Sequence, residues 1–269
     1  MNDANQNLSK EGLANLAIDP DLLARELAAQ SAGDTLDELE LDKTDEDLVN
    51  SSKKCDIALK WLQSGNQERL QGLRVFCEHR DSRALPLLVP LLDEPSPVVR
   101  MSAVYALGRN PCPQAIDLLL HLLRFDSNAY VRKATAWSLG NYSNAPVLEP
   151  LINALKKDVA AVRLWASSSL AEVGLNSLES SLPAANQLLE SLQIDGEPIV
   201  RSNCIWSLGR LYIHLSEEIK IHIVEAFISV LLNDREPSVR YEARTALEQL
   251  DSQEVQKKLK SLIDDGQLV

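Results

Sequence analysis

The sequence predicts an all-α solenoid, a stack of antiparallel helix pairs of the HEAT-like kind preceded by an acidic N-terminal extension. Three observations predict it. A ten-residue segment occurs five times in order. Apolar positions within and between the copies follow helical spacing, with no alternating run that reads as a strand. The 269 residues are rich in Leu, Ala and Val, with only 10 Gly and 4 % aromatics, and such side chains lose little freedom in a helix.

The recurring segment is Val99-Arg100-Met101-Ser102-Ala103-Val104-Tyr105-Ala106-Leu107-Gly108. Its relatives begin at Val131-Arg132, Val162-Arg163, Val200-Arg201 and Val239-Arg240, at steps of 32, 31, 38 and 39 residues. Turn chemistry precedes most copies: Asp93-Glu94-Pro95, Asp126-Ser127-Asn128, Asp195-Gly196-Glu197-Pro198 and Asp234-Arg235-Glu236-Pro237. Asp, Ser and Asn cap helix starts and Pro suits a first turn. The Gly closing three copies fits a helix C-terminus. A second apolar helix separates the copies, as in Pro113–Leu120 and Pro146–Ile152. Each copy with its preceding helix is therefore one unit of a repeat array.

Before the first copy come an opening helix near Gln67–Glu78 and the helix Ala84–Leu92; Glu254–Ile263 closes the chain. Residues 1–43 read as a loosely ordered acidic extension with a short amphipathic helix, Leu22–Ala29. Residues 44–64 read as a helix capping the array, which fills 65–269. The two long steps imply longer helices or loops around Asn176–Gln193 and Leu211–Leu232. The Ser-rich stretch Leu175–Ala185, with Pro183, marks a place where the array bends into two halves.

Charge bounds the partners. The net charge is −12, and residues 1–50 hold 13 acidic and 3 basic side chains. The rest is nearly neutral, with 26 acidic against 24 basic. No basic stripe offers the counterion release that nucleic acid requires, so none is expected as a partner. No run of 18 apolar residues predicts a membrane span. Cys55, Cys77, Cys112 and Cys204 are widely spaced and form no CxxC pair, which fits a reduced, cytoplasmic protein. His79, His121, His214 and His222 are scattered, so no metal site is expected. No phosphate loop, nucleophile elbow or paired-carboxylate motif appears.

The unit Asp-x-x-x-x-Val-Arg-x-x-Ala-x-x-Ala-Leu-Gly, followed by Pro-x-Ala-Ile-x-x-Leu-x-x-Leu, resembles the HEAT-like repeats of the phycobilisome-lyase group over roughly residues 66–265. That group includes bilin-lyase subunits, phycobilisome-degradation proteins and IaiH-like cyanobacterial adaptors associated with iron–sulphur assembly; the adaptors are the most similar in length and in their acidic leader. The resemblance implies that the Val-Arg helices line a concave side and that Arg100, Arg132, Arg163, Arg201 and Arg240 reach an Asp of an adjacent repeat. Deoxyhypusine hydroxylase, another HEAT protein, carries His-Glu dipeptides; this chain has only the reversed pair Glu78-His79.

Helical geometry sorts the Val-Arg helix at 100° per residue. With Val as zero, +4, +7 and +8 share its face and form the core: Ala103, Ala106 and Leu107 in the first copy. Positions +2 and +6 point away. At +2 stand Met101, Lys133, Leu164, Ser202 and Tyr241; at +6, Tyr105, Trp137, Ser168, Trp206 and Thr245; Trp165 flanks them at +3. Aromatic residues on an outward face read either as a partner groove or as rings folded over a neighbouring repeat. Arg109, Asn141 and Arg210 follow the three terminal Gly residues and would rim that groove. The expected activity is non-catalytic capture of one or more proteins, with no cofactor. The alternatives are a bilin, with Trp and Tyr against its rings in a lyase subunit or bilin-handling chaperone, and an iron–sulphur cluster bound transiently through Cys77, Cys112 or Cys204.

Overall fold

A computed structural model describes residues 45–142, 144–250 and 252–265. The extension 1–43 and its expected helix lie outside the described residues. The described residues form helices and turns and contain no strand. The chain divides into two compact units between Ser138 and Leu139. The expected division at Leu175–Ala185 is therefore corrected. That stretch covers the end of the helix Ala160–Asn176, an extended Ser177 and the start of the 17-residue helix Leu178–Ile194, inside which Pro183 is accommodated.

In the first unit, α1 (Asp45–Leu62) packs on α2 (Asn66–Glu78). A broken helix follows: a 3-10 turn at Ser82–Ala84, α3 (Leu85–Leu88) and a 3-10 segment Val89–Asp93. Pro86 and Pro90 lack the amide hydrogen that continuous helix needs, which explains the short pieces. Then come α4 (Pro97–Arg109), α5 (Ile116–Phe125) and α6 (Ala129–Leu139). Leu73, Phe76, Leu88, Leu92, Leu107 and Leu119 are sealed in this unit, each adding roughly 1.5–3 kcal/mol on burial.

Asn110 ties two pairs together. Its Nδ2 donates to the carbonyls of Phe76 (3.0 Å), His79 (3.2 Å) and Ala106 (2.9 Å), and its Oδ1 accepts from the Asp81 amide at 2.8 Å. One buried amide thus satisfies carbonyls at the ends of α2 and α4, which helices otherwise leave open.

The second unit continues with α7 (Leu148–Lys157), α8 (Ala160–Asn176), α9 (Leu178–Ile194), α10 (Pro198–Leu211), α11 (Glu217–Asn233), α12 (Pro237–Gln249) and α13 (Gln253–Asp264). Within it α8 packs on α7, α9 and α10, and α12 packs on α10, α11 and α13. The long steps in the sequence are long helices: α9 and α11 have 17 residues each.

The Val-Arg arginines form a structural ladder. Arg100 grips the Asp126 carboxylate at 2.7 and 2.9 Å, Arg163 grips Asp195 at 2.7 and 2.7 Å, and Arg201 grips Asp234 at 2.8 and 2.7 Å. In these three the remaining guanidinium nitrogen donates to a carbonyl of its own helix-pair turn, as from Arg201 to Asp195 O at 2.9 Å; for Arg240, expected to reach an Asp side chain as well, the contact is with the Asp234 carbonyl at 2.7 Å. Each Asp also accepts the backbone amide two residues on, at 2.8–2.9 Å. Bidentate pairing fixes the spacing of successive pairs as well as their sign.

Of the three closing glycines, Gly140 directly follows the last residue of α6, but the other two are not helix C-caps. Gly108 and Gly209 lie inside α4 and α10. Gly108 is required by close approach: a Cβ there would meet Trp137 Cζ3 at 2.5 Å and Ser138 Oγ at 3.0 Å.

Candidate functional site: outward faces of the Val-Arg helices

The core rule of the Val-Arg helix holds throughout. Ala103, Ala106, Leu107, Thr135, Leu139, Ala166, Leu170, Cys204, Leu208, Ala243 and Leu247 are fully buried. The outward rule holds in part. Positions +2 and +6 give Met101, Tyr105, Trp137, Ser202, Trp206 and Thr245 as half-buried and Tyr241 as 70 % exposed. Lys133 and Ser168 are buried at the same positions.

Three expected contact residues are corrected by burial. Leu164 is sealed at 0 %, Trp165 is 9 % exposed and Arg109 is 7 % exposed. For Leu164 the reason is the neighbouring helix: α10 packs over α8, and the Asn203 side chain reaches across to Leu164 O at 3.0 Å. Trp165, at +3, sits on the flank that meets an adjacent helix. Arg109 is enclosed at the end of α4, with its Nε shielded from water. These residues support the face from beneath. Asn141 is exposed in the turn after α6.

In the first unit the face is built by Tyr105 on α4 and Trp137 on α6. Their ring centroids are 5.3 Å apart with planes tilted by 53°, a favourable aromatic arrangement. Each ring braces the other while keeping part of its surface in water. Gly108 makes room for Trp137.

In the second unit the face differs. The Arg210 guanidinium carbon stands 4.9 Å from the Trp206 ring centroid, and the same group pairs with Glu172 on α8. Arg210 thereby serves as a brace between α8 and α10 beside a half-buried ring. Beneath it runs a polar seam: Asn203 Nδ2 also donates to Ser167 Oγ and Ser168 Oγ at 2.7 Å each, and Ser207 Oγ donates to Ser167 O at 3.1 Å. On α12, Tyr241 stands out, and Arg244 pairs with Glu248 at 2.9 Å.

Sequence reasoning missed Glu172 and Glu242. Glu242 is half-buried on α12, and burial raises its pKa with no cation opposing the rise. Its signal was available: +3 holds Ser102, Ala134, Trp165, Asn203 and then a carboxylate, the one charged side chain in that column.

Cys55, Cys112 and Cys204 are buried and Cys77 is half-buried. Burial pushes Cys77 up to about 12 and also raises Cys55 and Cys204. In these three, burial favours the neutral thiol over the thiolate that ligates a metal. Among the described residues, no three His, Cys, Asp or Glu side chains converge to hold a metal ion, and no helix is long and apolar enough to cross a membrane. A shallow cleft of about 470 Å³ opens at the junction of α12 and α13, lined by Glu248, Gln249, Leu250, Gln253 and Lys257 among others.

Comparisons with known proteins agree with this architecture. A designed armadillo repeat protein matches with a TM-score of 0.52 at 21 % identity, covering 72 % of this chain and 98 % of its own. A second design, in complex with the peptide (KR)4, matches at 0.50 and 21 % identity, covering 80 % and 97 %. Kap121p, bound to Pho4p, matches at 0.58 and 15 % identity over 87 % of this chain, which spans 27 % of that much longer protein. At these identities the likeness concerns the fold. No curated protein matches the sequence significantly. The family model for HEAT repeats matches residues 56–140, 122–209 and 185–268, so the chain belongs to the HEAT-repeat family.

Proposed function

We propose that the chain is a non-catalytic protein-binding scaffold that holds its partner against the outward faces of the Val-Arg helices. One observation carries this reading. At +2 and +6, where a solvated helix would carry polar groups, the chain places the Tyr105–Trp137 pair, Trp206 and a Tyr241 that is 70 % exposed. Large rings partly in water, held by the packed helices of each unit, gain on contact and cost little ordering. Two proteins of similar fold were solved with a peptide and with a protein bound, and that use of the fold is the one adopted for this chain. The assembly context, iron–sulphur or photosynthetic antenna, and a cytoplasmic setting rest on the resemblance of the repeat unit and on its four free cysteines.

The test is capture from extracts of the source cell. Trp137→Ala and Trp206→Ala, each checked for retained helicity, are expected to weaken retention of the bound protein by more than about 1 kcal/mol apiece. Normal retention by both folded variants overturns the reading. An absorption spectrum of the purified chain separates the bilin-lyase alternative: bands in the red replace the colourless protein expected here.

A further inference from the structure

We propose that the α10–α12 face of the second unit, formed by Trp206, Tyr241 and Glu242, receives a lysine or arginine side chain of the bound partner, with the cation seated at Glu242. This deepens the scaffold reading and rests on it.

The repeat register places the three residues together. Asn203, at +3 of its copy, reaches back to Leu164, Ser167 and Ser168 at +2, +5 and +6 of the preceding one. Glu242 is +3 of the next copy, and α12 packs on α10 as α10 packs on α8. By that register we infer that Glu242 falls opposite Ser202, Ile205 and Trp206 of α10, with its side chain half-buried between the two helices. Tyr241, its chain neighbour, extends the face outward at 70 % exposure.

Chemistry then selects the occupant. Nearby carboxylates already have cations: Glu172 has Arg210, Glu248 has Arg244, and Asp234 has Arg201. Glu242 has none among the described residues, although burial costs it solvation. A half-buried carboxylate without a partner is destabilising unless something supplies one. An aromatic ring beside it favours an organic cation, because ring faces attract guanidinium and ammonium groups. Arg210 over Trp206 shows that this face already holds such a group. The second unit is acidic overall, with 18 carboxylates against 12 basic side chains from residue 139 onward, which draws basic segments toward it.

The experiment is calorimetry of the full chain with hexa-arginine, hexa-lysine and hexa-glutamate peptides at physiological ionic strength. Hexa-arginine and hexa-lysine are expected to bind, and hexa-glutamate not. Glu242→Gln should weaken hexa-arginine at least about fivefold and Tyr241→Ala at least about twofold. Glu225→Gln removes the same charge from the exposed side of α11 and should change affinity less than about 1.5-fold. Equal losses from Glu242→Gln and Glu225→Gln mean attraction to bulk charge and overturn the site, as does failure of hexa-arginine to bind. If the peptide fails while capture of the cellular partner still depends on Trp206, the cation assignment falls and the scaffold reading stands. If Glu242-dependent peptide binding appears while capture ignores Trp137 and Trp206, the cation site stands without the wider face.

Discussion

The two units use one framework to present two kinds of surface. In the first, α4 and α6 meet through the Tyr105–Trp137 ring pair over Gly108, an apolar junction. In the second, α8 and α10 meet through Asn203 and its serines, with Arg210 braced between Trp206 and Glu172. The Val, Ala and Leu positions and the Arg–Asp ladder recur in both. The difference teaches that the ladder and the core stripe set how helix pairs stack. Positions +3 and +6 then vary from copy to copy and decide the chemistry of each junction.

If the ladder is the common framework, breaking it should cost more than any change on the faces. Asp234→Ala leaves Arg201, 5 % exposed, buried without its carboxylate. The expected loss is about 3–5 kcal/mol in denaturant unfolding. The sign with pH follows from the same contact. Hydrogen bonding by Arg201 lowers the Asp234 pKa, so its contribution is present above the ordinary carboxylate range and is lost as pH falls through the lowered value.

Gly108→Ala tests the apolar junction. Its Cβ would overlap Trp137, so the ring must move. A net loss of about 1–2 kcal/mol is expected, overpacking outweighing the helix propensity gained. The near-UV circular dichroism of the Tyr105–Trp137 pair should change with it. Unaltered dichroism would mean that the ring pair is not held by the glycine.

The smallest expected effect lies on the face of the second unit. Burial raises the Glu242 pKa, so the residue favours folding most while protonated and progressively less as pH rises through the raised value. Glu242→Gln should therefore raise Tm at neutral pH, with the gain shrinking as the solution is acidified. A loss of Tm at neutral pH would reveal a cation that already serves Glu242.

Much of this was legible in the sequence, for a physical reason. Val99, Ala103, Ala106 and Leu107 repeat at helical spacing because each copy meets the same neighbours, so periodicity reports the core directly. The Arg–Asp ladder was legible through resemblance, and its bonds follow the expected direction. The exposed face was read less well. A helical wheel treats one helix alone, whereas exposure at +2 depends on the next helix, and Asn203 of α10 reaches over Leu164. Gly108 was assigned to a cap because sequence shows a glycine at a helix end but not the ring beside it. The unit boundary left no composition signal, since Ser138 and Leu139 lie within one helix.

The most direct measurement of the scaffold claim is site-specific photo-crosslinking. A benzophenone side chain replaces Tyr241 on the Val-Arg face or Phe125, 60 % exposed on α5. On irradiation in source-cell extract, the account predicts one discrete adduct from position 241, suppressed by Trp206→Ala, and none from position 125. The same adduct from position 125, or none from position 241, contradicts it.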